Sequence, residues 1–255
     1  MIFDSHAHYD DEAFDKDREE LLAGLKENGV GCVVNISASL DTCEKTLDLI
    51  NKYDFIYGAI GVHPSETGEL KAGDEEKLKK WACNDKIVAI GEIGLDYYYP
   101  EPSRECQKKW FKKQVEIAKE LKLPLVIHSR DAAADTLSLI KEEKAYDYGG
   151  VIHCFSYEKE MAKQYIDMGF YLGIGGVVTF KNARKLKEAV EYAPMDRIIL
   201  ETDCPYLAPE PFRGKRNDSS LIKYVAEQIG LIKGMSAQEV IEITYENAKK
   251  MYNIK

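Results

Sequence analysis

The chain contains five histidines, and each stands at or near the downstream end of a short apolar run. His6 and His8 close MIFDSHAH (1–8), His63 closes FIYGAIGVH (55–63), His128 falls in PLVIHS (124–129) and His153 in GVIHCF (150–155). Glu92 lies within KIVAIGEIGLD (86–96), and Glu201 and Asp203 finish RIILETD (197–203). Imidazoles and carboxylates gathered this way are the usual ligands of catalytic divalent cations. His6 and His8 are two residues apart on an extended backbone, so their rings share a face and can hold one ion. Two surface histidines on an edge segment would read the same. The apolar IFDS before them and the acidic residues after them argue against that. Glu201 and Asp203 repeat the spacing. A carboxylate buried beside three aliphatic residues is costly without a cation, although salt bridges or helix capping would also serve, for Asp203 above all. Glu92 needs a partner inside so apolar a run, either a metal or a buried arginine. His128 or His153 alone would suit a hydrogen-bonded core histidine.

The set is more telling than its members. Four imidazoles and two carboxylates exceed the three protein ligands and one water of a typical catalytic zinc centre. The count suggests two divalent metal ions, with one carboxylate between them. Such a pair can activate water, polarise a P–O or C=O bond and stabilise a leaving oxygen. The imidazole content favours Zn, Mn, Fe or Ni over Mg.

These residues need a scaffold that brings run ends together. Eight apolar runs, 1–8, 31–37, 55–63, 86–96, 124–129, 150–155, 170–176 and 197–203, read as buried parallel strands. Amphipathic stretches at 15–28, 41–52, 74–82, 105–121, 131–143, 158–168, 182–193 and 237–252 read as helices, with Asp41, Asp74 and Ser236 as N-caps. Eightfold strand–helix alternation predicts an α/β fold, a (β/α)8 TIM barrel spanning 1–255 as one domain. An open doubly wound sheet would be expected to carry G-x-G-x-x-G after its first strand, and none is present. In a barrel, the carboxyl edge of the strands is where active sites form. The long irregular stretch DCPYLAPEPFRGKRN (203–217) is expected to be a functional loop.

Composition narrows the class further. No run approaches the ~18 apolar residues of a membrane span, and the acidic N-terminal region lacks a signal-peptide pattern, so a cytoplasmic location is expected. Six dispersed cysteines without C-x-x-C read as reduced thiols. A net charge of −9 excludes a broad basic face as the main device for holding nucleic acid, but not a phosphate substrate, since bound cations reverse the sign locally. Arg130, Lys181, Arg213, Lys215 and Arg216 fall near the expected mouth, with Lys181 and Arg216 equally readable as solvated charges. Tyr97, Tyr98 and Tyr99 either offer faces to an unstacked base or pack their loop.

The blocks D-S-H-A-H (4–8), G-V-H-P (61–64), G-E-I-G-L-D-Y-Y (91–98), H-S-R-D-A (128–132), H-C-F-S (153–156) and E-T-D-C-P-Y-L (201–207) resemble the TatD-type deoxyribonucleases of the amidohydrolase superfamily. The resemblance covers essentially the whole chain, in the family's order. It implies a two-metal hydrolase of phosphodiesters, a 3′→5′ exonuclease whose partner is the end of single-stranded DNA. It further implies that His6, His8, Glu92 and Asp203 hold one metal, that Glu92 bridges, and that His128 and His153 complete the second. His63 would contact substrate phosphate or position water. Glu201 would be a proton acceptor or an orienting residue, and APEPFRGKRN would supply Arg213 as a phosphate contact, with Lys215 and Asn217 shaping the loop. Arg130, from its own bidentate chemistry, is a further candidate phosphate contact. Serine in NDSS (217–220), where the family pattern has proline nearby, is a departure at the lead-in to the last helices. Ester or amide hydrolysis at the same site, as in D-aminoacyl-tRNA deacylation, is the competing activity. A barrel retaining a structural metal for binding alone is the non-enzymatic one.

Overall fold

The computed structural model describes residues 1–255. Eight parallel strands pair in chain order: β1 (Ile2–Ala7), β2 (Val30–Ile36), β3 (Ile56–Ile60), β4 (Ile87–Asp96), β5 (Leu125–Arg130), β6 (Gly150–Ile152), β7 (Tyr171–Ile174) and β8 (Ile198–Leu200). Helices α1 (Arg18–Gly24), α2 (Leu40–Lys52), α3 (Asp74–Ala82), α4 (Arg104–Leu121), α5 (Ala133–Glu142), α6 (Lys159–Asp167) and α7 (Arg184–Tyr192) lie between consecutive strands, and α8 (Ile222–Lys233) and α9 (Ala237–Met251) follow β8. This is the expected (β/α)8 barrel.

The β8–β1 seam closes differently from the others. It has one bridge, Ala7 with Cys204, and the His6 carbonyl accepts from the Thr202 and Asp203 amides. Buried Asp4 completes the closure. Its carboxylate accepts from the Thr202 amide at 3.0 Å and from the Thr202 and Ser219 hydroxyls, each at 2.6 Å. The serine of the NDSS departure therefore has work of its own, tying the lead-in to α8 onto β1.

Alternate strand residues fill the barrel. Phe3, Val34, Val126, Val151, Tyr171 and Ile199 pack together with Met251 and Tyr252 from the C-terminal helix, which plugs the lower end. The Tyr252 hydroxyl donates to the Ser5 carbonyl at 2.7 Å. Two residues above this floor on their runs come His128, His153 and Glu201, so the strand period places them over an apolar base.

Three expectations need correction. Strands β6 and β8 are shorter than 150–155 and 197–203, which leaves His153, Glu201 and Asp203 beyond the ladder. Helix α8 was not expected, because its mostly apolar sequence, IKYVAEQIGLIK, masks the polar face that marks an amphipathic helix. The cap of α2 is Ser39, in a capping box with Thr42, and that of α3 is Gly73; Asp41 and Asp74 sit in the first turns, where a carboxylate favours the helix dipole. Ser236 caps α9 as expected. All six cysteines are free, and no helix is long and apolar enough to cross a membrane.

Candidate metal centre

The barrel mouth holds a cavity of about 670 Å³ whose walls include His8, His63, Glu92, His128, His153 and Asp203. His6, at the end of β1, is buried beneath it. The Nε2 atoms of His6 and His8 lie 3.1 Å apart. Glu92 Oε2 is 3.5 Å from the first and 3.8 Å from the second. Asp203 Oδ1 is 3.6 Å and 3.3 Å from them. A tetrahedron with its corners about 2.1 Å from the centre has edges of about 3.4 Å. The His6, His8 and Asp203 atoms thus group within 4.8 Å as candidate ligands of one small divalent cation, with Glu92 Oε2 close to both imidazoles.

The other oxygen of Glu92 faces the opposite way. Oε1 is 2.7 Å from His128 Nδ1, 3.0 Å from His153 Nε2 and 3.8 Å from His63 Nε2. One carboxylate therefore presents an oxygen to each of two histidine groups. Glycine lets β4 come this close to β5: Gly94 has φ +143, and a Cβ there would meet the His128 carbonyl oxygen at 2.0 Å.

Hydrogen bonds fix which nitrogens are free. His8 Nδ1 is 2.8 Å from the Ile36 carbonyl oxygen, which can only accept. That nitrogen carries the proton, and neutral His8 has its lone pair on Nε2, toward the cluster. His63 has the opposite tautomer. Its Nδ1 accepts from the Ser65 amide at 3.1 Å, which leaves Nε2–H as a donor toward the cavity. Burial and neighbouring His128 push the His63 imidazole down to about 3, so it is neutral at ordinary pH.

Charge in the cluster is one-sided. Burial would raise Glu92, yet the charge of His153 and the hydrogen bonds from His128 and His153 hold it well below the usual carboxylate range. Burial would lower His8, yet Asp203, Glu92 and Asp10 carry it up to about 9. His153 is likewise raised, against its burial, by Glu92 and Glu201. The protein alone meets the demand of its carboxylates with protons. A divalent cation would meet it instead and release them. The donor set and spacing fit such an ion.

The site residues divide as follows. His6, His8, Glu92 and Asp203 come together, and His128 and His153 gather on the far side of Glu92 with His63. Arg130 lines the cavity. Glu201 does not share a face with Asp203, because β8 has ended and Asp203 takes a left-handed backbone, φ +59. Glu201 is wholly buried behind His153. Its Oε1 accepts from the Cys154 amide at 2.6 Å and lies 3.5 Å from His153 Nδ1. Glu201 thus lies behind His153 and off the cavity wall. Arg213 is not on the cavity wall; its guanidinium lies 4.3 Å from the centre of the Phe180 ring. Arg216 is paired with Asp17.

Among the cavity residues that escaped the sequence reading are Asp10, Lys45 and Asp96. Lys45 and Asp10 gave no signal. Asp96 did: it is a buried acid four residues beyond Glu92 in an otherwise apolar strand, and its Oδ2 is 3.1 Å from His128 Nε2.

A parallel barrel that gathers a histidine–carboxylate cluster at its carboxyl edge is a scaffold suited to metal-assisted hydrolysis. Residues 3–253 match the family model described as TatD related DNase. The chain is 45% identical over 254 residues to an uncharacterized metal-dependent hydrolase, YabD, of Bacillus subtilis, with 100% of both chains covered. It is 31% identical over 245 residues to a protein of Rahnella named 3′-5′ ssDNA/RNA exonuclease TatD, covering 94% of this chain and 93% of the relative. It superimposes on the crystal structure of YJJV, a TatD homologue from Escherichia coli, with TM-score 0.94 and 27% identity, covering 100% of this chain and 98% of the other. The chain belongs to the TatD family of metal-dependent hydrolases.

Proposed function

We propose that this chain hydrolyses phosphodiester bonds at the ends of single-stranded DNA, in the 3′→5′ direction. The observation that carries the reading is Glu92, which offers one oxygen to the His6–His8–Asp203 group and the other to His128 and His153. In this reading His6, His8, Glu92 and Asp203 hold one divalent ion, and Glu92, His128 and His153 hold the second. Two such cations supply Lewis acidity to a phosphate oxygen and lower the pKa of a water.

The chain's own groups do the rest. Neutral His63 donates from Nε2–H to a phosphate oxygen or to water, as its tautomer requires. Arg130 contributes charge-assisted donors to phosphate, and Lys45 adds positive charge to the wall. Glu201 holds the His153 ring with Nε2 toward Glu92. The Rahnella relative's name supports the substrate and the direction.

The test strips the protein of metal, reloads it singly with Mn²⁺, Zn²⁺, Ni²⁺, Fe²⁺ and Mg²⁺, and presents 5′-labelled and 3′-labelled single strands. Stepwise shortening of the 5′-labelled strand is expected, with immediate release of the 3′ label as mononucleotide. Absence of cleavage with every ion, or faster turnover of carboxyl esters than of DNA, overturns the reading.

A further inference from the structure

Tyr98 and Tyr99 are more than half exposed, unusual for large aromatic side chains held by so rigid a loop. Their rings meet edge to face, with centroids 4.8 Å apart. The Arg130 guanidinium lies 3.8 Å from the Tyr98 ring centre and 5.9 Å from that of Tyr99. Arg130 and Tyr99 are walls of the same cavity as His63 and His128.

The loop carrying the tyrosines is pinned at both ends. The Tyr98 amide donates to Asp96 Oδ1 at 2.9 Å, and the other oxygen of Asp96 is on His128. Gln107 accepts from the Asp96 amide and donates to the carbonyls of Asp96 and Pro102. The Tyr97 amide donates to the Arg130 carbonyl at 2.9 Å. Tyr97 is the ring that packs: its hydroxyl bonds Asp135 and Arg104 covers its face.

We propose that Tyr98, Tyr99 and Arg130 form a nucleobase-binding subsite on the rim, holding a base next to the scissile phosphate. The inference rests on the phosphodiesterase reading and names what that site grips. The Tyr98 ring backed by a guanidinium, with the Tyr99 ring at right angles beside it, gives a cationic aromatic corner that accepts any base, because every base has a π-face. Asp96 makes the platform a fixed distance from His128, so a base seated there positions its own phosphate. Tyr98 and Tyr99 are base-binding residues, and Asp96 is a positioning residue.

The experiment walks a single abasic residue through an eight-nucleotide thymidylate strand and measures kcat/KM for the native chain, the double variant Tyr98→Ala/Tyr99→Ala and the double variant Tyr98→Phe/Tyr99→Phe. At one position near the cleaved end, loss of the base is expected to slow the native chain about tenfold. That penalty should shrink to about twofold or less in the alanine variant and persist in the phenylalanine variant. An equal penalty in native chain and alanine variant overturns the platform and leaves the phosphodiesterase reading standing. If no strand is cleaved, the second readout is quenching of 2-aminopurine in the same strand without added metal. Quenching that needs the tyrosines keeps the platform and removes the phosphodiesterase reading. Absent quenching, or quenching that survives in the alanine variant, overturns the platform.

Discussion

Gly173 on β7 gives a sharp test of where Glu201 sits. A Cβ at this position would lie 2.2 Å from Glu201 Oε2 and 2.8 Å from its carboxyl carbon. Ordinary van der Waals contact needs about 3.4 Å or more, so the carboxylate would have to move by about 1 Å. It has nowhere to go: the side chain is wholly buried, and Oε1 is held at 2.6 Å by the Cys154 amide. Overpacking costs about 1–3 kcal/mol. Breaking the bond to Cys154 adds about 1–3 kcal/mol. For a chain of this size each kcal/mol moves Tm by about 2–4 °C, so Gly173→Ala should melt roughly 4–24 °C below the native chain. Were the space free, the same change would stabilise by about 0.4–1 kcal/mol, because glycine costs more backbone entropy. The sign alone therefore separates the two outcomes. A double-mutant cycle completes the assay: in a Glu201→Ala background the clash partner is gone, and the Gly173→Ala penalty should vanish. Turnover should fall with Gly173→Ala alone, because His153 loses the fixed carboxylate beside Nδ1. A variant melting within about 2 °C of the native chain, or one equally destabilised with and without Glu201, would refute the placement.

Glu92→Gln keeps shape but removes the charge shared by both histidine groups; metal content by elemental analysis should drop below two ions per chain and turnover should fall about a hundredfold or more, and a fully loaded, fully active variant would contradict the bridging role. Chelation should lower Tm by about 8–16 °C, since an ion present at a thousand times its Kd adds about 4 kcal/mol; an unchanged Tm would mean that no ion had been bound. Asp4 is pushed up to about 7 by burial, against the hydrogen bonds from Ser219 and Thr202. Its folded value exceeds its unfolded one, so its stabilising contribution is full below about 4 and is lost as pH rises through about 7, an effect of up to about 4 kcal/mol. Urea unfolding of Asp4→Asn at pH 5 and pH 8 should show a weaker fall in stability with pH than the native chain, and parallel behaviour would remove Asp4 as the cause.

The barrel was legible because its strands are buried on both faces and so read as near-continuous apolar runs, while their connections alternate. The clustered histidines and carboxylates were legible because they are the polar exceptions that close those runs. His6 and His8 share a face, and their Nε2 atoms meet at 3.1 Å. Helix α8 was less legible for the converse reason: its apolar content resembles a core segment and gives no clean period. Lys45 could not be found at all. It belongs to a helix whose sequence looks solvated, and only the register of α2 against the mouth puts it on the cavity wall.

Glu201 and Asp203 mark where spacing stops being informative. Two residues apart, they would share a face for as long as the backbone stayed extended. β8 ends at Leu200, Thr202 turns to bond Asp4, and Asp203 enters the left-handed region. The two acids separate, one to orient His153 from behind and one to join His6 and His8 in front. The seam explains the separation. β8 and β1 close the barrel through Asp4, Thr202 and Ser219 instead of a full ladder, and that closure needs the chain to turn just past β8. The turn that shuts the barrel is thus the turn that delivers Asp203 to the site. Changes at Asp4 or Ser219 should therefore disturb the His6–Asp203 spacing as well as stability. A lowered metal content in Ser219→Ala at a temperature well below its Tm would show the two effects to be linked, and unaltered metal content with a lowered Tm would show that the seam serves stability alone.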